Sequence, residues 1–315
     1  MPTNSIVDRA DAGALIPEDA AREIIQATTE ASALLGVARR LPNLSRKQQR
    51  IPVVSTQPTA YFVTGDTGLK STTDMTWENV YLNAEELAVI VPMPQALLDD
   101  ADYNIAQEMR PHLVEAFGQA IDRAMHFGTN KPAAWPTSIR AAAVAAGNSV
   151  ALGAGADVYD DLLGASGVWS KVEADGYMVN GTIAATSFMG RLRGLRDGAA
   201  GQPIFLQGGL QGQPNYTLLG TPVFFPRNGG FDTVATHAFS GDWSQIVYSI
   251  RQDITYSVTD QGVVTDNAGN IVYNLFQQDM VALRAVMRVA IAVPNPINRM
   301  QGSVANRYPI GVLTT

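Results

Sequence analysis

One stretch in the middle of the chain restricts the fold more than any other feature. Apolar residues recur there every four positions, at Ile105, Met109, Leu113, Phe117, Ile121 and Met125. This spacing lines one face of an α-helix, and about 24 residues at about 1.5 Å each predict a helix some 36 Å long. Pro111 lies inside the stretch, where we expect it to kink the helix or remove one hydrogen bond. The rest of the chain has to pack around this long helix.

Extended segments precede the helix. Arg50–Thr56 and Thr59–Thr64 carry β-branched and aromatic residues at strand spacing. A polar, Gly-containing stretch over 65–73 separates them from a second extended run, Thr76–Val91, which Pro92-Met93-Pro94 should end. The pattern predicts a two-stranded arm. Because a lone hairpin is only marginally stable in water, this arm has to lie on its own domain or on a neighbouring subunit.

The remaining segments mix short helices and short strands. We expect a helix that starts at Pro17 and ends near Gly36, which together with the later segments predicts an α+β fold. The later segments are a loop over Ala141–Ala156, a helix over Val158–Ala174, a strand over Tyr177–Ala185, a hairpin of Val263–Val264 with Ile271–Leu275, and a long strand over Val281–Val293.

The composition excludes several classes of protein. Only 16% of the residues are charged, against about 25% in an average soluble protein. This shortfall favours a surface covered by copies of the chain or by partners, although a slightly apolar monomer fits equally well. The net charge of −7 and the lack of a long basic run exclude tight binding of nucleic acid. The chain has no cysteine, which excludes disulfides and thiolate sites, and no apolar run is long enough to predict a membrane-spanning helix.

The sequence predicts no catalytic, cofactor or metal site. The three histidines, His112, His126 and His237, show no paired ligand spacing. His112 and His126 stand 14 residues apart, which is about 21 Å along a helix and too far for a shared metal ion. The acidic cluster at 99–102 suits the positive N-terminal end of the long helix. A soluble enzyme with an unrecognised site remains the remote alternative.

Four stretches carry a resemblance to a known family. They are Glu85–Pro94 with Leu97–Asp100, Ala120–Ala124 with Phe127–Thr129, Leu218–Val223, and Gly241–Ser244 followed by Val281–Arg288. Each is short and mostly apolar, but their order and spacing over residues 17–298 resemble the major capsid protein family of tailed bacteriophages. The resemblance implies the Hong-Kong-97-type capsid fold. This α+β fold has an N-terminal arm, an extended β-hairpin loop, a peripheral domain with a long spine helix, and an axial domain.

The resemblance also implies a division of the chain. Residues 1–40 would form the N-terminal arm, 41–90 the extended loop, 91–135 the peripheral domain with the spine helix, 136–276 the axial domain, and 277–315 the C-terminal strand and tail of the peripheral domain. Some members of the family begin with a long scaffolding region that is cleaved after assembly. Because the arm begins close to Met1, we expect no such region here, and hence a separate scaffold protein or none.

The function implied is structural, with no enzymatic activity. The chain would self-assemble into hexamers and pentamers of an icosahedral phage head, through heterologous contacts that close into rings. The head would enclose double-stranded DNA without sequence-specific contact. A portal protein and a separate scaffold or cement protein are the other expected partners, with no membrane involved, and the chain would reside in the virion after assembly in the host cytoplasm. An encapsulin-type bacterial compartment on the same fold is the alternative, but the well-developed extended loop favours the phage.

Six residues in projecting elements are predicted to make inter-subunit contacts, on position alone: Arg39, Arg40, Tyr61, Phe62, Lys70 and Trp77. Some members of the family cross-link a lysine of the extended loop to an asparagine of another subunit. Lys70 is near the expected tip of the loop, but this chemistry also needs a Glu in an apolar pocket that acts as base. Neither that Glu nor the asparagine can be placed in the sequence. A solvated tip lysine is therefore expected.

Overall fold

The computed structural model describes residues 32–63, 65, 68–100, 105–195, 217–266 and 268–315, with the backbone alone at 98–100 and 105–108. The predicted N-terminal helix from Pro17 lies mostly outside these residues. A short helix, α1 (Ala33–Val37), is described near its expected end and continues one residue past Gly36.

The described elements alternate in the mixed order that the sequence predicts. The further helices are α2 (Gln95–Asp100), α3 (Ile105–Phe127), α4 (Ile139–Ala145), α5 (Val158–Leu163), α6 (Val168–Ala174) and α7 (Met189–Gly194). The strands are β1 (Arg39–Arg40), β2 (Gln48–Thr56), β3 (Thr76–Asn83), β4 (Glu85–Pro94), β5 (Ser149–Ala151), β6 (Gly181–Ala184), β7 (Thr217–Leu218), β8 (Thr221–Phe224), β9 (Thr236–Gly241), β10 (Val247–Thr259), β11 (Val263–Thr265), β12 (Ile271–Asn274), β13 (Met280–Ala292) and β14 (Ile310–Thr314).

A four-stranded sheet carries the long helix α3. The strand order is β1-β10-β13-β4, and β13 pairs antiparallel with β10 on one side and with β4 on the other. Arg110 of α3 lies over the ring of Tyr256 on β10, 5.1 Å from its centroid. The helix is continuous through Pro111, so the proline does not end it. An apolar cluster joins the sheet to the helix through Met93, Leu113, Phe117, Val281, Leu283 and Ala285.

A six-stranded sheet forms the second half of the fold. Its order is β5-β14-β9-β6-β8-β7. All four residues of β6 and five of the six residues of β9 are buried, because helices α4 and α6 pack on the same sheet. The main core joins both halves of the molecule. It includes Leu34 of α1, Ile121 of α3, Phe239 of β9, Val289 of β13 and Ile310 of β14.

Two predictions for the region after the long helix are wrong. The segment Ala141–Ala156 is not a loop, because α4 and β5 lie largely within it. Alanine is the strongest helix former, and burial of Ile139 and Ala143 is enough to hold this short helix on the core. The single helix expected over Val158–Ala174 is instead two helices, α5 and α6. The chain folds back so closely between them that a Cβ at Gly164 would lie 2.6 Å from the carbonyl oxygen of Asp160.

Two strand predictions near the extended loop are also wrong. Pro92-Met93-Pro94 does not end the strand, because β4 continues to Pro94. β4 is the edge strand of its sheet, where a residue without an N–H group is tolerated. Thr59–Thr64 is not a strand, since the described residues 57–63 have no regular structure.

The predicted strand over Tyr177–Ala185, in the six-stranded sheet, is reduced to its last half, β6.

The two sheets cut across the expected division of the chain. β10 falls in the range 136–276 but pairs with β13 in the four-stranded sheet. β14 falls in the range 277–315 but pairs with β5 and β9 in the six-stranded sheet. Each half of the fold is therefore built from segments that are distant in sequence.

Candidate assembly surfaces

The extended loop contains a regular hairpin of β2 and β3. The strands pair antiparallel, with Arg50 opposite Tyr81 and Val54 opposite Trp77. Alternate residues point to opposite faces of such a ribbon. The inner face packs on the four-stranded sheet, where Leu82 is fully buried in a small cluster with Ala290, and Ile51 packs against that cluster.

Hydrogen bonds clamp the hairpin to a segment near the end of the chain. The carbonyl oxygen of Val54 accepts a bond of 3.2 Å from the backbone N–H of Ile297. Gln57 Nε2 donates to the carbonyl oxygen of Ile297 at 3.0 Å, and Arg299 Nη2 donates to that of Pro58 at 2.8 Å. A cavity of about 330 Å³ opens beside these bonds, between the hairpin and the C-terminal segment. These bonds fix the end of the hairpin that leads into the tip on its own subunit.

The other described residues give the outer face of the hairpin no such cover. Trp77 is 61% exposed and Tyr81 is 47% exposed, and both lie on this face with Val54 and Arg50. Large aromatic side chains are enriched at protein interfaces and are costly to leave in water. Tyr81 was not among the predicted contact residues, although its position four residues after Trp77 on one strand places both on one face.

The tip beyond the hairpin brings three of the predicted contact residues together. The hydroxyl of Tyr61 donates to the carbonyl oxygen of Ser71 at 2.8 Å, so the two sides of the tip lie next to each other. Phe62 is fully exposed, and Lys70 and its neighbour Leu69 are exposed as well. The described part of the tip therefore presents two exposed apolar side chains, Phe62 and Leu69, beside the charge of Lys70.

The last two predicted contact residues lie elsewhere. Arg39 and Arg40 form β1, an exposed pair of residues that is parallel to the start of β10. Arg40 Nη2 donates to Asn43 Oδ1 at 3.2 Å. The structure thus distributes the six predicted residues over the sheet edge, the hairpin tip and the outer face of the hairpin.

A second exposed apolar surface lies on the hairpin of β11 and β12. Ile271, Val272 and Tyr273 are consecutive and all are substantially exposed, as are Val263 on the partner strand and Phe276 beyond it. The sequence predicts this hairpin, and its strands are confirmed. Its role as a surface was missed. The available signal was the run of apolar residues without alternation, which leaves both faces of a two-stranded ribbon apolar.

A buried carboxylate joins α1 to the long helix. Asp122 of α3 is 1% exposed. It accepts hydrogen bonds from Ser32 Oγ at 2.5 Å, from the backbone N–H groups of Ala33 and Leu34 at 3.0 and 3.2 Å, and from Asn228 Nδ2 at 2.7 Å. These donors come from two segments distant from α3, so Asp122 anchors the chain that leads out of the N-terminal region.

The described residues were compared with the requirements of a metal site and of a membrane-spanning helix. Within them, no three His, Asp or Glu side chains lie close enough together to hold a metal ion. None of the described helices is long and apolar enough to cross a membrane. Burial lowers the pKa of His126 and His237 and raises the pKa of Tyr308. His126 lies in the apolar core beside Phe239, and His237 is stacked on Phe188. Among the described residues, Nδ1 and Nε2 of His126, Nδ1 of His237 and the hydroxyl of Tyr308 have no hydrogen-bond partner.

Comparisons with known proteins agree on one family. The model of the phage capsid family matches residues 12–300. The major capsid protein of Staphylococcus phage 80alpha is 27% identical over 296 residues, which cover 93% of this chain and 85% of that protein. A solved chain from Microbacterium phage Oxtober96 superposes with a TM-score of 0.85 at 33% identity and covers 98% of this chain and 99% of its own length. A chain from Mycobacterium phage Adephagia gives a TM-score of 0.82 at 32% identity, with 98% of each chain covered.

The fold is also shared at lower identity. The capsid of a native GTA particle is 18% identical, with a TM-score of 0.72 and 99% of each chain covered. The agreement in fold is therefore broader than the agreement in sequence. The family match over most of the chain, together with the structural likeness over nearly all of it, shows that the chain belongs to the phage capsid family and has the Hong-Kong-97-type fold.

Proposed function

We propose that the chain assembles into the hexamers and pentamers of an icosahedral phage head that encloses double-stranded DNA. The observation that carries this proposal is the outer face of the β2–β3 hairpin. The end of the hairpin next to the tip is bonded to the same subunit, while Trp77 and Tyr81 stay exposed. A face of this kind gains stability when a second copy covers it.

The layout of the subunit follows from the two sheets. The four-stranded sheet with α3 would form the peripheral domain, and the six-stranded sheet with α4 to α7 would form the axial domain at the centre of each capsomer. β14, at the end of the chain, would belong to the axial domain because it pairs with β5 and β9. Residues 1–40 and 41–90 would be the arm and the extended loop that reach neighbouring subunits, apart from β1 and the part of β4 before residue 91, which belong to the four-stranded sheet.

Enclosure of DNA does not require strong attraction to it. The net charge of −7 opposes tight binding to phosphates, so the shell would hold DNA by closure alone. A portal protein and a separate scaffold or cement protein would complete the head, which would assemble in the host cytoplasm and carry the chain into the virion. The likeness to phage chains over nearly the full length favours this function over the encapsulin-type compartment. The same likeness to structural proteins favours a chain without enzymatic activity.

The experiment is size-exclusion chromatography of the purified chain followed by negative-stain electron microscopy. We expect hollow polyhedral shells, or rings of five and six subunits, for the wild-type chain. The double variant Trp77→Ala with Tyr81→Ala should shift the chain to monomers while its circular dichroism spectrum is unchanged. The control is Val114→Ala, which removes an exposed apolar side chain from α3 and should leave the shells intact. A wild-type chain that stays a 33.7 kDa monomer with scaffold protein and crowding agent present would contradict the proposal.

A further inference from the structure

A histidine is buried in the main core without a hydrogen-bond partner. His126 of α3 is 1% exposed, and neither Nδ1 nor Nε2 has a partner among the described residues. Buried polar groups are nearly always hydrogen-bonded, because an unpaired one loses its water without compensation. An apolar ring at this position would avoid that loss, so the imidazole calls for an explanation other than packing.

The ring is enclosed by aromatic side chains from three other segments. Phe239 of β9 stacks on it, with a centroid distance of 5.2 Å and an interplanar angle of 17°. Trp243 and Phe231 lie 6.3 and 6.2 Å away, and Phe127 of α3 itself lies 6.0 Å away. This enclosure favours the neutral imidazole, because a charged ring would be removed from water without polar neighbours.

One charged group opposes this effect. Asp122 lies one helical turn before His126, and residues four apart on a helix are neighbours. Burial, the larger effect, lowers the pKa of His126, and the charge of Asp122 raises it. The carboxylate is already occupied by Ser32, Ala33, Leu34 and Asn228, so a charged ring and the N-terminal end of α1 would compete for the same two oxygen atoms.

The titratable and charged groups on the other described segments around the ring have contacts of their own. On β9, His237 precedes Phe239 by two residues and is stacked on Phe188. Before Trp243, Asp242 is bonded to Asn180, Ser244 and Gln245. After Phe231, Asp232 accepts from the backbone N–H of Val234, and on the outside of α3 Arg123 donates to the carbonyl oxygen of Gly229. α1 contains no titratable residue.

We propose that His126 is a proton-sensitive element that controls the attachment of α1 to the long helix α3. A proton taken up from solvent makes both ring nitrogens donors, and the carboxylate of Asp122, one helical turn away, is the anion that acts on the ring. That carboxylate then turns from the backbone N–H groups of Ala33 and Leu34 toward the ring, and α1 loosens. The inference does not depend on the assembly proposed above, because all of these contacts lie within one chain.

The direction of the pH effect follows from the two forms of the chain. In the loosened form the pairing of the charged ring with Asp122 offsets the effect of burial, so its pKa lies nearer the ordinary value of 6.5, whereas in the closed form burial lowers its pKa. The loosened form therefore binds more protons below pH 6.5. Above about pH 6.5, α1 is fully attached. Below this pH, the equilibrium constant for the attachment of α1 falls by up to about tenfold per pH unit, until the pH reaches the lower pKa of His126 in the closed form.

The test is hydrogen exchange of the full chain between pH 7.5 and pH 5, read by mass spectrometry in peptides that cover residues 33–41 and corrected for the intrinsic rate at each pH. The wild-type chain should lose protection in these peptides as the pH falls below about 6.5. His126→Phe keeps an aromatic ring that cannot take a proton, and its protection should stay level. His126→Leu is the second variant if the phenylalanine does not fit the core.

Two controls separate this route from general acid unfolding. His112→Phe on the exposed side of α3 and His237→Phe should follow the wild-type chain. Asp122→Asn, which lacks the anion, should show low protection of residues 33–41 at every pH. The proposal is overturned if the two His126 variants lose protection like the wild-type chain, if the wild-type chain shows no pH dependence, or if Asp122→Asn retains full protection.

Discussion

The six-stranded sheet and the β2–β3 hairpin bury very different shares of their residues. Every residue of β6 and five of the six in β9 are buried, whereas Leu82 is the one buried residue among the eight of β3. The sheet obtains its stability from its own subunit. A two-stranded ribbon has little of its own, so the outer face of the hairpin is expected to obtain stability from a neighbouring copy. Trp243, which is buried in the core, represents the first case, and Trp77, which is exposed on the hairpin, represents the second.

The largest expected effect is on the buried side of this comparison. Trp243 is 1% exposed, and its indole N–H donates to the carbonyl oxygen of Gly181 at 3.0 Å. Trp243→Ala should lower the free energy of unfolding by about 3–5 kcal/mol, because it leaves a cavity in the core. Urea denaturation of the unassembled chain, followed by circular dichroism, measures it. A loss no greater than that of an exposed substitution would show that this core is not tightly packed.

A smaller effect is expected at the anchor between α1 and α3. Asp122→Ala leaves the donors of Ser32, Ala33, Leu34 and Asn228 without their acceptor. The free energy of unfolding should fall by about 1–3 kcal/mol, the usual result of unpaired buried polar groups. The same denaturation experiment measures it. Asp253→Ala, at an exposed aspartate on β10, is the matched control and should change little.

The exposed ion pair of the four-stranded sheet should contribute less still. Arg288 Nε and Nη2 donate to Glu86 Oε2 at 2.8 and 2.6 Å, and both side chains are well exposed. Glu86→Gln should lower the free energy of unfolding by about 0.2–1 kcal/mol. Because salt screens exposed charges, the difference should shrink when denaturation is repeated in concentrated salt. A difference that grows with salt would contradict this account.

The smallest effect on stability is expected at Trp77, the counterpart of Trp243. In the unassembled chain, Trp77→Ala should change the free energy of unfolding by less than about 0.5 kcal/mol, as exposed substitutions usually do. The same variant should weaken assembly strongly, measured as the fraction of chain in shells by analytical ultracentrifugation. A large loss of stability with normal assembly would contradict the account, because it would show that Trp77 stabilises its own subunit and not the contact between subunits.

The elements with a strong local pattern could be predicted from the sequence. The four-residue spacing from Ile105 to Met125 gives α3, and the alternation in the Val281–Val293 segment gives β13 within one or two residues. The predicted elements are wrong where tertiary contacts, and not the local sequence pattern, determine the secondary structure. The close return of the chain at Gly164 divides a predicted helix, and an edge position lets β4 include Pro92 and Pro94.

The candidate surfaces were predicted only in part, for a related reason. Projection of Phe62 and Trp77 follows from their place in the extended loop, and the structure shows both exposed. The exposure of Tyr81 and Ile271 depends on which face of each ribbon the subunit covers. The role of Asp122 depends on residues 90 positions away in the sequence, such as Ser32. Sequence spacing carries no information about contacts at that distance, and the contact assignments themselves stay predictions.

A cryo-electron microscopy reconstruction of the assembled particles tests the central claim most directly. The account predicts a closed shell in which the outer face of each β2–β3 hairpin, with Trp77 and Tyr81, is covered by a neighbouring copy. The bonds from Gln57 and Arg299 next to the tip remain within the subunit. Particles in which Trp77 and Tyr81 face solvent would contradict the account. So would a chain that forms no closed particle under any assembly condition.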